Sequence, residues 1–149
     1  MNPIQVSDDA IVQELGIKAP AERIFDALTR PEELMKWWCV EGKFQLTKME
    51  CDLRPGGKWR MYVRGRSGGV VTVAGVFRQI ERPHLLIYTW IREQEDKVET
   101  LVRWDLEENG GVTTVRVTHS GLTTDALRKR NDGWPMIVRL LQACAEEGK

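Results

Sequence analysis

From Phe44 to His119 the chain alternates apolar and polar residues with few breaks, and this stretch is followed by one segment of helical spacing. Trp59, Met61 and Val63 alternate with Arg60, Tyr62 and Arg64, and Val102, Trp104 and Leu106 alternate with Arg103, Asp105 and Glu107. Val115, Val117 and His119 alternate with Thr114, Arg116 and Thr118. Such a period of two marks strands with one face toward a core. Turn residues separate the strands: Gly56-Gly57, Arg66-Ser67-Gly68-Gly69, Glu81-Arg82-Pro83-His84, the charged loop Glu93 to Lys97, and Asn109-Gly110. A meander of about six strands cannot bury its apolar face alone. The cover is the final segment, where Trp134, Ile137, Val138, Leu141, Cys144 and Ala145 recur on one helical face. Asp132 is the expected N-cap and Pro135 suits the first turn.

The N-terminal third fits this plan. Ile11, Gln13, Leu15 and Ile17 share one face of a strand. Two short helices follow, one after Pro20 with the stripe Ile24, Phe25 and Leu28, and one after Pro31 with Leu34, Met35 and Trp38. The residues therefore imply an α+β fold of order β-α-α-β6-α. A curved antiparallel sheet of about six to seven strands wraps around a C-terminal helix. At 149 residues, 1–149 reads as one domain. Gly75, inside the β-branched run Val70 to Ile80, marks a bulge or bend.

Composition excludes several functions. The 22 basic and 22 acidic side chains cancel, so no uniform field draws nucleic acid or an anionic membrane. No apolar run approaches the roughly 18 residues that span a bilayer. The start, Met1-Asn2-Pro3-Ile4-Gln5, lacks a basic end and an apolar run, so no signal peptide is expected. Cys39, Cys51 and Cys144 are odd in number and lack CxxC spacing, which suits reduced thiols in the cytoplasm rather than a disulfide framework or zinc site. His84 and His119 have no carboxylate at ligand spacing, so no metal is expected. No phosphate loop or nucleophile elbow is present, and no cofactor is called for.

Six tryptophans stand against three phenylalanines and two tyrosines. Alternation turns Trp59, Met61, Val73, Phe77, Val102, Trp104, Val117 and His119 toward the space between sheet and helix. The helix answers with Trp134, Ile137, Val138 and Leu141, and Trp37 or Trp38 sits near the entrance. Tyr88 places a polar group at a cavity end, as do Tyr62, Glu50 and Glu99, while the parity of the run holding Trp90 stays open. These rings either fill the core or line a ligand cavity. His119 is a candidate acid or base, with a tyrosine facing the cavity as the alternative, set against the simpler role of a hydrogen bond from His119 to backbone near Ser120. Arg103, Asp105 and Arg116 read as outward cross-strand ion pairs.

The residues that carry a family resemblance span nearly the whole chain. They are Ala19-Pro20-Ala21-Glu22-Arg23-Ile24-Phe25-Asp26-Ala27-Leu28-Thr29, Leu34-Met35-Lys36-Trp37-Trp38, Arg54-Pro55-Gly56-Gly57-Lys58-Trp59, Gly75-Val76-Phe77-Arg78-Gln79-Ile80, Leu86-Ile87-Tyr88-Thr89-Trp90, Thr118-His119-Ser120-Gly121-Leu122 and Gly133-Trp134. In this order the chain resembles the START-like or Bet v 1-like superfamily and, within it, the activator of heat-shock-protein-90 ATPase homologue family. The resemblance implies a helix-grip fold with a hydrophobic cavity, in a superfamily whose members carry lipids, bind hormones or cyclise polyketides. Three roles follow, in order of preference: binding of a small hydrophobic molecule without chemistry, catalysis on aromatic compounds of the polyketide-cyclase type, and a stress-related co-chaperone-like interaction module. A chaperone partner is the least expected of these, because no second domain of the kind that contacts the chaperone in the co-chaperone that names the family is read in this sequence. A homodimer through an edge strand or helix face is compatible with this size.

Overall fold

The computed structural model describes residues 9–93 and 98–147. The N-terminal segment Met1 to Gln5, and all of the loop Glu93 to Lys97 except Glu93, lie outside the described residues. In chain order the elements are β1 (Ala10–Ile17), α1 (Ala21–Thr29), α2 (Pro31–Trp37), β2 (Cys39–Val40), β3 (Phe44–Cys51), β4 (Lys58–Gly65), β5 (Val70–Glu81), β6 (Leu85–Arg92), β7 (Thr100–Asn109), β8 (Val112–Ser120), α3 (Asp125–Arg130) and α4 (Trp134–Glu147). The strands form an antiparallel sheet of order β1-β8-β7-β6-β5-β4-β3-β2, curled into a half-barrel around α4. It has eight strands rather than six to seven. The added one is the two-residue β2, too short to leave a periodic trace in sequence.

Two bulges bend the sheet. One falls between Leu46 and Lys48, so Leu46 and then Met49 and Cys51 turn inward. The other falls between Phe77 and Gln79, where an extra residue increases local twist. It lies three residues beyond Gly75, the position expected from sequence. Gly75 has a different reason to be glycine: a Cβ there would lie 1.9 Å from the Thr89 carbonyl oxygen and 2.7 Å from the Trp59 indole nitrogen. The strand crossing at this point is too close for any side chain.

α4 packs chiefly against β1 and α1, and α2 covers β3 at the other end of the sheet. α4 begins after Gly133, whose carbonyl accepts from Ile137 N at 3.0 Å. Gly133 therefore holds the N-cap position expected of Asp132. α3 is a separate helix, and the Thr124 side chain caps it by accepting from Leu127 N at 3.1 Å. On the convex face, Arg103 pairs along its own strand with Asp105 at 2.9 Å, and Arg116 pairs across to Glu14 of β1 at 2.9 Å.

Candidate functional site

All six indoles join one connected ring cluster inside the curl. Trp59 comes from β4 and contacts Trp90 of β6 at 5.8 Å between centroids. Trp90 contacts Trp38, which follows α2, at 6.4 Å and Trp134 of α4 at 5.5 Å. Trp134 continues to Trp104 of β7 at 5.8 Å, and Trp38 to Trp37 at 5.3 Å. The register settles the parity of Trp90: with Leu86 and Tyr88 it sits opposite Thr100, Val102 and Trp104, on the concave face.

The cluster both fills and lines. Trp104 is fully buried and donates to the Tyr88 hydroxyl at 3.0 Å. Trp37 is buried under α1 and donates to the Ala27 carbonyl at 2.8 Å. These two rings are packing. Trp38, Trp90 and Trp134 instead wall an open apolar cleft of about 290 Å³ between α4 and the β4–β5 end of the sheet. Met61, Val63, Val71 and Val73 form the opposing wall, Ile137 adds to the α4 side, and Arg92, Arg130 and Asn131 contribute polar groups. Behind it lies a second, smaller space of about 30 Å³, bordered by Trp59, Phe77, Tyr88, Met49 and Cys51. Trp38, Met61 and Trp90 border both spaces and so stand as a septum between them.

Of the residues expected in the cavity, Trp38, Trp59, Met61, Val73, Phe77, Tyr88, Trp90, Trp134 and Ile137 border one or both spaces. Trp37, Val102, Trp104, Val117, His119, Val138 and Leu141 lie in the packed core beside them. Spacing alone does not reveal Phe44 and Cys51, because the β3 bulge and the short β2 hide which of their neighbours turn inward. Arg92 continues the concave row after Tyr88 and Trp90, a signal legible only once the parity of β6 is known. Tyr62 donates to Glu50 at 3.3 Å, and Glu99 pairs with Arg78 at 3.7 Å, contacts that belong to the outer face rather than to the cavity ends.

His119 is fully buried at the base of the cluster. The Trp134 indole can only donate, and it donates to His119 Nδ1 at 3.0 Å. The ring proton therefore sits on Nε2, which donates to Thr100 Oγ1 at 2.7 Å. Thr100 in turn donates to the Trp90 carbonyl at 3.0 Å. Burial pushes the His119 pKa down to about 4. The imidazole is thus neutral, with both nitrogens engaged, and its partners are Thr100 and Trp134 rather than backbone near Ser120. Burial raises the Tyr88 hydroxyl as well, and lifts the Cys51 thiol to about 11. By contrast, the buried indole nitrogens of Trp59 and Trp90 find no acceptor among the described residues.

The family model described as activator of Hsp90 ATPase homolog 1-like protein matches residues 18–146. The chain belongs to this family. No curated protein matches it. Among solved structures, this family member is similar to a protein from Chromobacterium violaceum at 22% identity and TM-score 0.84, covering 94% of this chain and 99% of that one. It is also similar to a protein from Nitrosomonas europaea at 20% identity and TM-score 0.81, covering 99% and 100%. An HSP90 activator from Plasmodium falciparum is similar at 19% identity and TM-score 0.71, covering 91% and 94%. At these identities the likeness establishes the helix-grip fold, and no helix among the described residues is long and apolar enough to cross a membrane.

Proposed function

We propose that the protein binds a small hydrophobic molecule in the cleft between its curved sheet and α4. One observation carries this reading: an apolar opening of about 290 Å³ walled by Trp38, Trp90 and Trp134. A core built only for stability would close such a gap, because unfilled space forfeits packing energy. The unpartnered donor of Trp90, which walls the cleft, adds support, since buried polar groups without partners are rare and gather where stability is not the sole demand. The free cysteines suit a reducing compartment, and we place the protein in the cytoplasm. The test is a fluorescent dye with an apolar ring system and one sulfonate, 1-anilinonaphthalene-8-sulfonate, added to the wild type and to Val71→Trp, which fills the cleft from its half-buried wall. Dye fluorescence should saturate on the wild type and weaken at least tenfold in affinity on the variant. Equal affinity for both would place the dye elsewhere and sink the reading.

Catalysis has less support. His119 has both nitrogens engaged, and Cys51 is held as a neutral thiol. The family's name and the solved HSP90 activator favour a chaperone link as a second reading. Retention of the protein on immobilised HSP90 would support it, and passage through unretained would count against it.

A further inference from the structure

The shape of the cleft narrows the ligand class. We infer that the site selects a flat, two-ring aromatic molecule over a flexible acyl chain, and that the septum of Trp38, Met61 and Trp90 enforces the choice. This rests on the cleft being a ligand site at all.

A cavity of about 150 Å³ takes one benzene ring, so about 290 Å³ suits two fused rings. The walls favour flat rings as well. Trp90 meets Trp134 at 55° and Trp38 at 36°, and Trp38 meets Trp134 at 88°, so the three indoles, packed against one another, present a wall of mixed faces and edges to the cleft. Flat rings satisfy such walls through offset and edge-to-face contacts, which a saturated chain cannot make. The opposing wall is β-branched, with Val63, Val71 and Val73 stiff about χ1, so it does not reshape around a winding chain.

Depth decides against the chain. An acyl chain of one bilayer leaflet is about 15 Å long. Beyond the septum only about 30 Å³ remains, room for about one water. A chain therefore leaves part of its length in water or must displace the septum. Met61 is its most yielding member, an unbranched side chain that borders both spaces along with the two indoles. Met61 is thus the specificity-determining residue: shortening it joins the two spaces and admits a longer ligand.

The experiment is calorimetric titration with two neutral probes, 2-naphthol and 1-decanol, on the wild type and on Met61→Ala, with circular dichroism to confirm that the variant folds. Decanol has the larger flexible apolar surface, so a site without shape selection would prefer it. The expected result is that 2-naphthol binds the wild type at least tenfold more tightly than decanol. Met61→Ala should raise decanol affinity at least fivefold and change 2-naphthol affinity less than threefold. Decanol binding the wild type as tightly as 2-naphthol overturns the shape inference and leaves the cleft as a ligand site. Failure of both probes to bind removes the ligand site and this inference with it. If Met61→Ala folds and decanol affinity stays unchanged, the septum is not the selector. If Met61→Ala does not fold, Met61→Val applies the same test with a smaller cut.

Discussion

Two residues make sharp demands on their surroundings. His119 is neutral when folded, with its pKa lowered from 6.5 to about 4 by burial. Between these values the unfolded chain takes up a proton that the folded one refuses. Stability contributed by His119 is therefore complete above pH 6.5 and falls as pH drops toward 4. Each pH unit separating the unfolded and folded values is worth about 1.4 kcal/mol, which makes the loss about 3 kcal/mol. Urea melts at pH 7 and pH 4.5 should show it, and His119→Gln should lower stability at pH 7 while flattening the difference. A pH dependence as steep in His119→Gln as in the wild type would assign the effect to other groups. Gly75 makes the second demand. Gly75→Ala puts a methyl group into the Thr89 carbonyl and the Trp59 ring, and overpacking against backbone should cost about 3 kcal/mol. Gly16→Ala, whose Cβ would meet only Val112 Cγ1 at 3.7 Å, is the control and should shift the urea midpoint little.

At the scale of elements, the sheet and α4 were legible because each has a period that burial enforces. Trp59 and Trp104 fall inward as alternation places them. Alternation loses its phase at bulges, which is why β3 hid Met49 and Cys51. β6 hid Trp90 for another reason: Thr89, its neighbour, is equally buried, its hydroxyl accepting from Val76 N at 2.8 Å across the strand gap. Two consecutive buried residues erase a period of two. The His119–Trp134 bond was not legible either, since nothing in spacing says that a strand end and a helix start will meet. That bond pins the first turn of α4 to β8. Trp134→Phe removes the donor and replaces the buried indole with a smaller ring, and should cost about 2 kcal/mol from the lost hydrogen bond and the space left behind. Thr124→Ala removes the cap of α3 and should cost about 1 kcal/mol. Because the Thr124 side chain caps α3 while Trp134 lies in α4, hydrogen exchange in α3 should quicken in Thr124→Ala and stay unchanged in Trp134→Phe.

For the whole molecule, a fold shared with solved structures at about 20% identity leaves function to be argued from the site. The sequence carried the fold and most of the aromatic cluster. It left open whether the indoles fill the space or line it, because that depends on distances of a few ångströms between strands far apart in sequence. The structure divides them: Trp37 and Trp104 pack, while Trp38, Trp90 and Trp134 face an open cleft. Six indole N–H groups report on that division directly. In a ¹⁵N-labelled sample titrated with 2-naphthol, the indole signals of Trp38, Trp90 and Trp134 should shift together and saturate, and those of Trp37 and Trp104 should move least. Signals that stay still throughout, or shifts as large at Trp37 and Trp104 as at the other three, would contradict a ligand site in the cleft.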